Sequence, residues 1–152
     1  NIEIKFELAR AYEIQHQFNN ANLLYEEILQ AQPANIVAAN NYALILSNHK
    51  PTEDSLKKAQ QLIEKFKDSQ QPAVIDTLGW IYYRQSNYKQ ALSILKKTVE
   101  LAPKVPIFQY HLGMAYKQLN YPELAKKHLN TAVTTGHFPG RKEAIKALES
   151  LN

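Results

Sequence analysis

Thr77-Leu78-Gly79-Trp80-Ile81-Tyr82 returns 34 residues later as His111-Leu112-Gly113-Met114-Ala115-Tyr116, and the register of these two stretches organises the chain. An alanine follows each glycine by twelve residues, as Ala91 and Ala125, and Pro103 stands twelve beyond Ala91. A period of 34 residues marked by small side chains is the pattern of helix-turn-helix units that stack into a solenoid, each burying its apolar face on its neighbours.

With Gly79 and Gly113 set at the eighth position, four units are expected at about residues 2–35, 36–71, 72–105 and 106–138. Leu8, Ala9, Tyr12, Ala21, Tyr25, Ile28 and Pro33 mark the first, and Leu78, Gly79, Tyr82, Ala91, Leu95, Val99 and Pro103 the third. The second is irregular: Ala43 and Ala59 are sixteen residues apart instead of twelve, which puts four extra residues in a turn around Asn48 to Thr52, where insertions cost little. Residues 139–152 leave the pattern and read as a capping helix, with Ala144, Ile145, Leu148 and Leu151 on one face. The small residue at the eighth position is expected to face the small residue at the twentieth, so that the two helices of a unit approach closely. Pro72, Pro106 and Pro122 suit first helical turns, where a missing N–H costs least.

Composition agrees. The 152 residues hold only four glycines and seven prolines, and the long stretches are rich in helix formers. Cysteine is absent, which excludes disulfides and thiolate metal sites. No stretch approaches the roughly 18 apolar residues of a membrane span, and no signal peptide is recognisable. The compartment stays open between cytoplasm and periplasm. The chain starts at Asn1, with periodicity from Ile2 and no capping residue expected before it, which reads as a piece of a longer protein.

These markers resemble the tetratricopeptide repeat, whose pattern is Trp-Leu-Gly-Tyr-Ala-Phe-Ala-Pro, over about residues 2–138. The fourth-position tryptophan is replaced by Lys5, Ala39, Ile75 and Gln109, and the closing proline is missing from the second and fourth units. Val74 to Val133 with Phe138-Pro139-Gly140-Arg141 is also similar to the carboxy-terminal end of bacterial repeat proteins associated with exosortase and exopolysaccharide systems. The resemblance implies an all-α, right-handed superhelix of four hairpins plus a cap. It also implies a non-enzymatic scaffold that holds a protein, peptide or partner helix in a concave groove lined by first helices. Self-assembly into a homo-oligomer and an accessory role in bacterial envelope or exopolysaccharide export are the alternatives.

On a first helix, the second, fifth, sixth, ninth, twelfth and thirteenth positions point away from the partner helix. The expected partner-binding residues are therefore Asn40, Asn41 and Leu44, then Asp76, Thr77, Trp80, Tyr83 and Arg84, then Tyr110, His111, Met114 and Lys117. Trp80, the single tryptophan, falls at the ninth position, on the groove side, and tryptophan, tyrosine and arginine carry interface energy. A helical tryptophan also commonly packs against neighbouring elements, so Trp80 separates binding from packing. A carboxylate clamp for acidic peptide tails is not expected, because the positions it needs hold Phe6, Arg10, Asn41, Ala73 and Thr77 and only Asn41 matches.

Catalysis and cofactors are not expected. The five histidines, at 16, 49, 111, 128 and 137, lack the i,i+4 pairing of a helical zinc site, and no phosphate loop or nucleophile elbow is present. Glu26 and Glu27 are adjacent, and neighbours on a helix diverge by about 100°. The net charge of +4 includes lysine pairs at 57/58, 96/97 and 126/127. These occupy different repeat positions on second helices, so no basic stripe for nucleic acid follows.

Overall fold

The computed structural model describes all residues, Asn1–Asn152, as nine α-helices without a strand. They are α1 Ile2–Ile14, α2 Phe18–Ala31, α3 Ile36–Asn48, α4 Glu53–Glu64, α5 Pro72–Arg84, α6 Tyr88–Leu101, α7 Pro106–Gln118, α8 Pro122–Thr135 and α9 Arg141–Glu149. The chain divides into two compact units, Asn1–Ser69 and Gln70–Asn152.

In the 1–69 unit, α1 packs on α2, α2 on α3 and α3 on α4. Its core joins Ala9, Ala21, Tyr25, Ile28, Ala38, Tyr42 and Ile45. In the 70–152 unit, α7 lies among α5, α6, α8 and α9, and the core around it includes Trp80, Tyr110, Leu129, Ala132, Ala144 and Ala147.

Three of the four hairpin turns share one construction. Tyr12, Tyr82 and Tyr116 each offer a carbonyl to the N–H five residues on, at 2.8, 2.9 and 3.0 Å, while His16, Ser86 and Asn120 take φ of 57°, 62° and 61°. A left-handed residue just past a helix, with such a backward bond, satisfies carbonyls that the helix leaves free.

The insertion near residue 50 lies elsewhere than expected. Three residues separate α1 from α2 and four separate α3 from α4, so the turn gains one. Ala21 is the fourth residue of α2 and Ala59 the seventh of α4, so the other three extra residues form an added first turn of α4. Thr52 fixes that turn by a capping box with Ser55, the two exchanging bonds of 3.1 and 2.8 Å. Asn1 corrects a second expectation, since its side chain caps α1 by accepting the Glu3 N–H at 2.9 Å.

At the glycines, the partner also differs. A Cβ at Gly79 would stand 2.8 Å from Leu95 side-chain atoms, and one at Gly113 would stand 2.7 Å from Leu129. The glycine thus receives a leucine one turn beyond the alanine. In α9, Ala144, Ala147 and Leu148 join the core, as does Leu151 just beyond the helix, and Ile145 is half-buried. No helix is long and apolar enough to cross a membrane.

Candidate functional site

The residues singled out on α5 and α7 are brought together, but not as an open platform. Trp80 is only 5% exposed. Its indole stacks on the His111 ring at 3.9 Å and on Tyr83 at 4.5 Å, with Tyr110 tilted at 5.7 Å. Asp76, Thr77, Tyr110 and His111 are buried as well. The expectation that these five face a groove is corrected. A first helix with neighbours on several sides has no free face at its fifth, sixth and ninth positions, and aromatic rings at those positions fill the space between α5 and α7.

Under the indole lies a buried acid–base pair. His111 Nδ1 is 2.8 Å from Asp76 Oδ2, and both side chains are almost wholly enclosed. Burial raises the carboxyl of Asp76 above its ordinary value, against the opposing pull of His111. Its second oxygen, Oδ1, is buried without a hydrogen-bond partner. Thr77 turns its hydroxyl back to the Ala73 carbonyl at 2.9 Å. Tyr110 is pushed up to about 12, first by burial; beyond it, Phe138 lies at 5.7 Å. Tyr83 is half-buried and accepts a bond from Gln118 Nε2 at 3.4 Å. Arg84 is exposed, and Met114 and Lys117 are half-buried.

Sequence reasoning missed the pairing of Asp76 with His111. The signal was present in their separation of 35 residues, one more than the repeat, which sets the fifth position of one first helix beside the sixth of the next. It also missed what replaces the fourth-position tryptophan of the last unit. Gln109 donates to the Pro103 carbonyl at 2.7 Å and meets His128 Nδ1 at 2.7 Å, while His128 stacks on Tyr116 at 5.5 Å. Burial holds His128 below its ordinary value.

The 1–69 unit is arranged differently. Asn41 donates to the Tyr25 hydroxyl at 3.1 Å, and that hydroxyl donates to Glu13, so Asn41 is engaged within the fold. Burial and the Glu13 carboxylate push the Tyr25 hydroxyl upward. Asn40 and Leu44 are half-buried, and Asn40 Oδ1 lacks a hydrogen-bond partner. A cavity of about 810 Å³ opens in this unit, lined by Asn1, Ile2, Glu3, Phe6, Glu7, Gln32, Asn35 and Val37. Glu3, Phe6, Glu7 and Val37 come from groove positions of α1 and α3. No group of three or more histidine, aspartate or glutamate side chains is arranged to hold a metal ion. Lys58 of the 57/58 pair is committed to Glu26 at 3.0 Å and to the Tyr42 ring.

Paired antiparallel helices with a repeated turn and a glycine–leucine seam define the class, helical-hairpin repeat proteins. Tetratricopeptide-repeat models match residues 76–104 and 108–135, so these two stretches are tetratricopeptide repeats. It is similar in fold to a thermophilic repeat protein of Thermus thermophilus at 18% identity and a TM-score of 0.83, covering 99% of this chain and 81% of that one. It is also similar to MamA of Desulfovibrio magneticus, at 17% identity and a TM-score of 0.73, over 89% and 75% of the two chains. YrrB, described as a repeat protein with an unusual peptide-binding site, matches at 16% identity and a TM-score of 0.65, over 97% and 74%. No curated protein matches the chain, and the resemblance to exosortase-associated proteins has no counterpart among these matches.

Proposed function

We propose that this protein-interaction scaffold grips a peptide or partner helix on its first-helix faces, without catalysing a reaction. The observation that carries the reading is the cavity of about 810 Å³ on α1 and α3. Its apolar lining of Ile2, Phe6 and Val37 and its polar lining of Glu3, Glu7 and Asn35 suit a segment with one large apolar side chain. Asn40 lies one turn along α3 from Val37, and its unpartnered oxygen supports acceptance of an N–H from that segment. In the 70–152 unit, Tyr83, Arg84, Met114 and Lys117 are the contact residues of this reading. Asp76, Thr77, Trp80, Tyr110 and His111 hold the helices that present them, and Asn41 does the same in the 1–69 unit.

The test is selection of random peptides on the immobilised chain, followed by titration of the winners against variants. Val37→Asp should weaken them by tenfold or more, corresponding to about 1.4 kcal/mol, and Lys96→Ala on α6 should leave them unchanged. Winners insensitive to Val37→Asp and Phe6→Ala would sink the assignment.

A further inference from the structure

The stretch Phe138-Pro139-Gly140-Arg141 leaves the repeat pattern and starts α9. Gly140 is the N-cap residue of that helix, in the left-handed region at φ 97°, and brings no capping side chain. The amides of Lys142 and Glu143 have no acceptor within the fold, as first-turn amides do not unless a cap supplies one. Gly140 also makes room for a ring. A Cβ there would stand 2.8 Å from Tyr110 Cε1 and 3.4 Å from Cζ, so glycine is what lets the phenol of α7 lie against the cap. Arg141 is committed elsewhere, its guanidinium donating to the Val133 carbonyl at 3.1 Å. Tyr110 is 7% exposed and its ring belongs to the core. Its hydroxyl, however, makes no hydrogen bond within the fold and is not sealed from solvent. The charges that reach this hydroxyl are those of Tyr83, Glu143 and Arg84. Burial pushes both phenols up, Tyr110 to about 12, so both keep their protons at neutral pH and serve as donors. Arg84 is exposed and forms no ion pair.

We propose that the start of α9, the Tyr110 hydroxyl and Arg84 form a binding site for one carboxylate group. The Lys142 and Glu143 amides and the phenol supply hydrogen-bond donors, and the guanidinium and the helix N-terminus supply positive charge. Every unengaged group there except Glu143 is a donor, which selects an anion. The wider field agrees, since residues 70–152 hold eleven lysines and arginines against five aspartates and glutamates. Glu143 is the third residue of α9, and its own carboxylate bonds none of these donors. Its charge opposes any incoming anion, and opposes a phosphate group of nearly two charges more than a carboxylate of one. The scaffold reading enters only as the source of the carboxylate, the chain end or an acidic side chain of a partner segment; the site itself accepts a free carboxylate.

Backbone amide shifts followed by NMR, as small carboxylates are added at constant ionic strength, test the site. N-acetylalanine carries a chain-end carboxylate and N-acetylglutamate α-amide a side-chain one. Both should move the Lys142 and Glu143 amides saturably, and the tighter of the two names the source. Inorganic phosphate should bind more weakly than either. Tyr110→Phe keeps the ring against Gly140 and should weaken N-acetylalanine by about fivefold, the loss of one hydrogen bond, while circular dichroism stays unchanged. Arg84→Gln should also weaken it. Glu143→Gln should tighten binding by about twofold or more through removal of the opposing charge, a gain that a purely structural tyrosine would not produce. Glu149→Gln, at the far end of α9, should leave it unchanged. Amides that do not respond, or a response that survives Tyr110→Phe and ignores Glu143→Gln, would overturn the proposal and leave the peptide selection on the α1 and α3 cavity to decide the scaffold reading separately. Phosphate binding tighter than both carboxylates would overturn the assignment of a carboxylate.

Discussion

Helices α1 and α7 hold the same place in their repeats, yet α1 buries only Ala9 while α7 buries Phe108 to Gly113 without a break, then Ala115 and Tyr116. The repeat pattern specifies the face toward the second helix, and both helices obey it. How far the remaining faces are buried depends on how many neighbours surround a helix. Around α7 there are four, α5, α6, α8 and α9, and the aromatic residues on it become core. Around α1 the principal neighbour is α2, and its groove-side residues keep a cavity open. The same register position can therefore be a contact residue in one unit and packing in the other.

The largest effect should come from the layer that makes α7 a core helix. Trp80→Ala should cost about 3–5 kcal/mol, as emptying a buried aromatic site does. Urea unfolding followed by circular dichroism measures this. A loss below about 1 kcal/mol, within the range of ordinary surface changes, would mean that Trp80 is packed no more tightly than α1 is. Since Trp80 is the only tryptophan, wild-type fluorescence follows the 70–152 unit by itself and shows whether that unit outlasts the other.

The helix seam comes next. Gly113→Ala puts a methyl 2.7 Å from Leu129 Cγ and 3.1 Å from its backbone nitrogen. Overpacking of this kind typically costs about 1–3 kcal/mol, against a gain of at most about 1 kcal/mol in helix propensity. The 1–69 unit already has a methyl at the equivalent Ala9, and its neighbour at the leucine position is Tyr25. Ala9→Gly should therefore also destabilise, by about 1 kcal/mol, and both losses are read as shifts in denaturation midpoint. Stabilisation by Gly113→Ala would show that the glycine is not needed for close approach.

Much of this was legible in the sequence. The period of 34 residues, the Leu-Gly pairs and the first-turn prolines convey helical hairpins because they report contacts local to one unit. Burial of Trp80, Asp76, Thr77, Tyr110 and His111 was not legible, since it depends on packing between successive first helices, which periodicity within a helix does not describe. The capping face was legible apart from Ala147, which is buried beside Ala144 and Leu148, because a small residue carries little weight in an apolar pattern. The insertion was counted correctly and misplaced, because Thr52 and Ser55 can cap a helix and do so here one turn earlier than the marker alanine suggests.

Acid titration sharpens the contrast at a single pair. Burial raises the Asp76 carboxyl in the fold, so the folded chain holds that proton more tightly than the unfolded one. The stabilisation is present below the ordinary carboxylate value and is lost as pH rises through the folded value. Asp76→Asn keeps an acceptor for His111 and cannot ionise. Relative to this variant, the wild type should therefore lose stability as pH is raised from about 3 toward neutrality. Urea midpoints measured side by side across that window provide the check. A difference that stayed constant would mean that the carboxyl ionises as readily in the fold as in the unfolded chain. No carboxylate of the 1–69 unit is enclosed to the same degree with an oxygen unpartnered.

The smallest effect is expected at the last residue of α1. Ile14 is 78% exposed, and its counterparts in the later units are Asn48, Arg84 and Gln118. Ile14→Gln makes the first unit like the fourth at that position. It removes no packed atom, and glutamine is slightly the better helix former, so stability should change by no more than about 0.5 kcal/mol in either direction. The same residue type at Ile81, fully buried in α5, is the contrasting case: Ile81→Gln buries an amide in place of a packed side chain and should cost several-fold more. If Ile14→Gln lowered the midpoint as much as a core change does, α1 would be covered along its whole length in solution. The difference between the two ends of the chain would then belong to the isolated molecule alone.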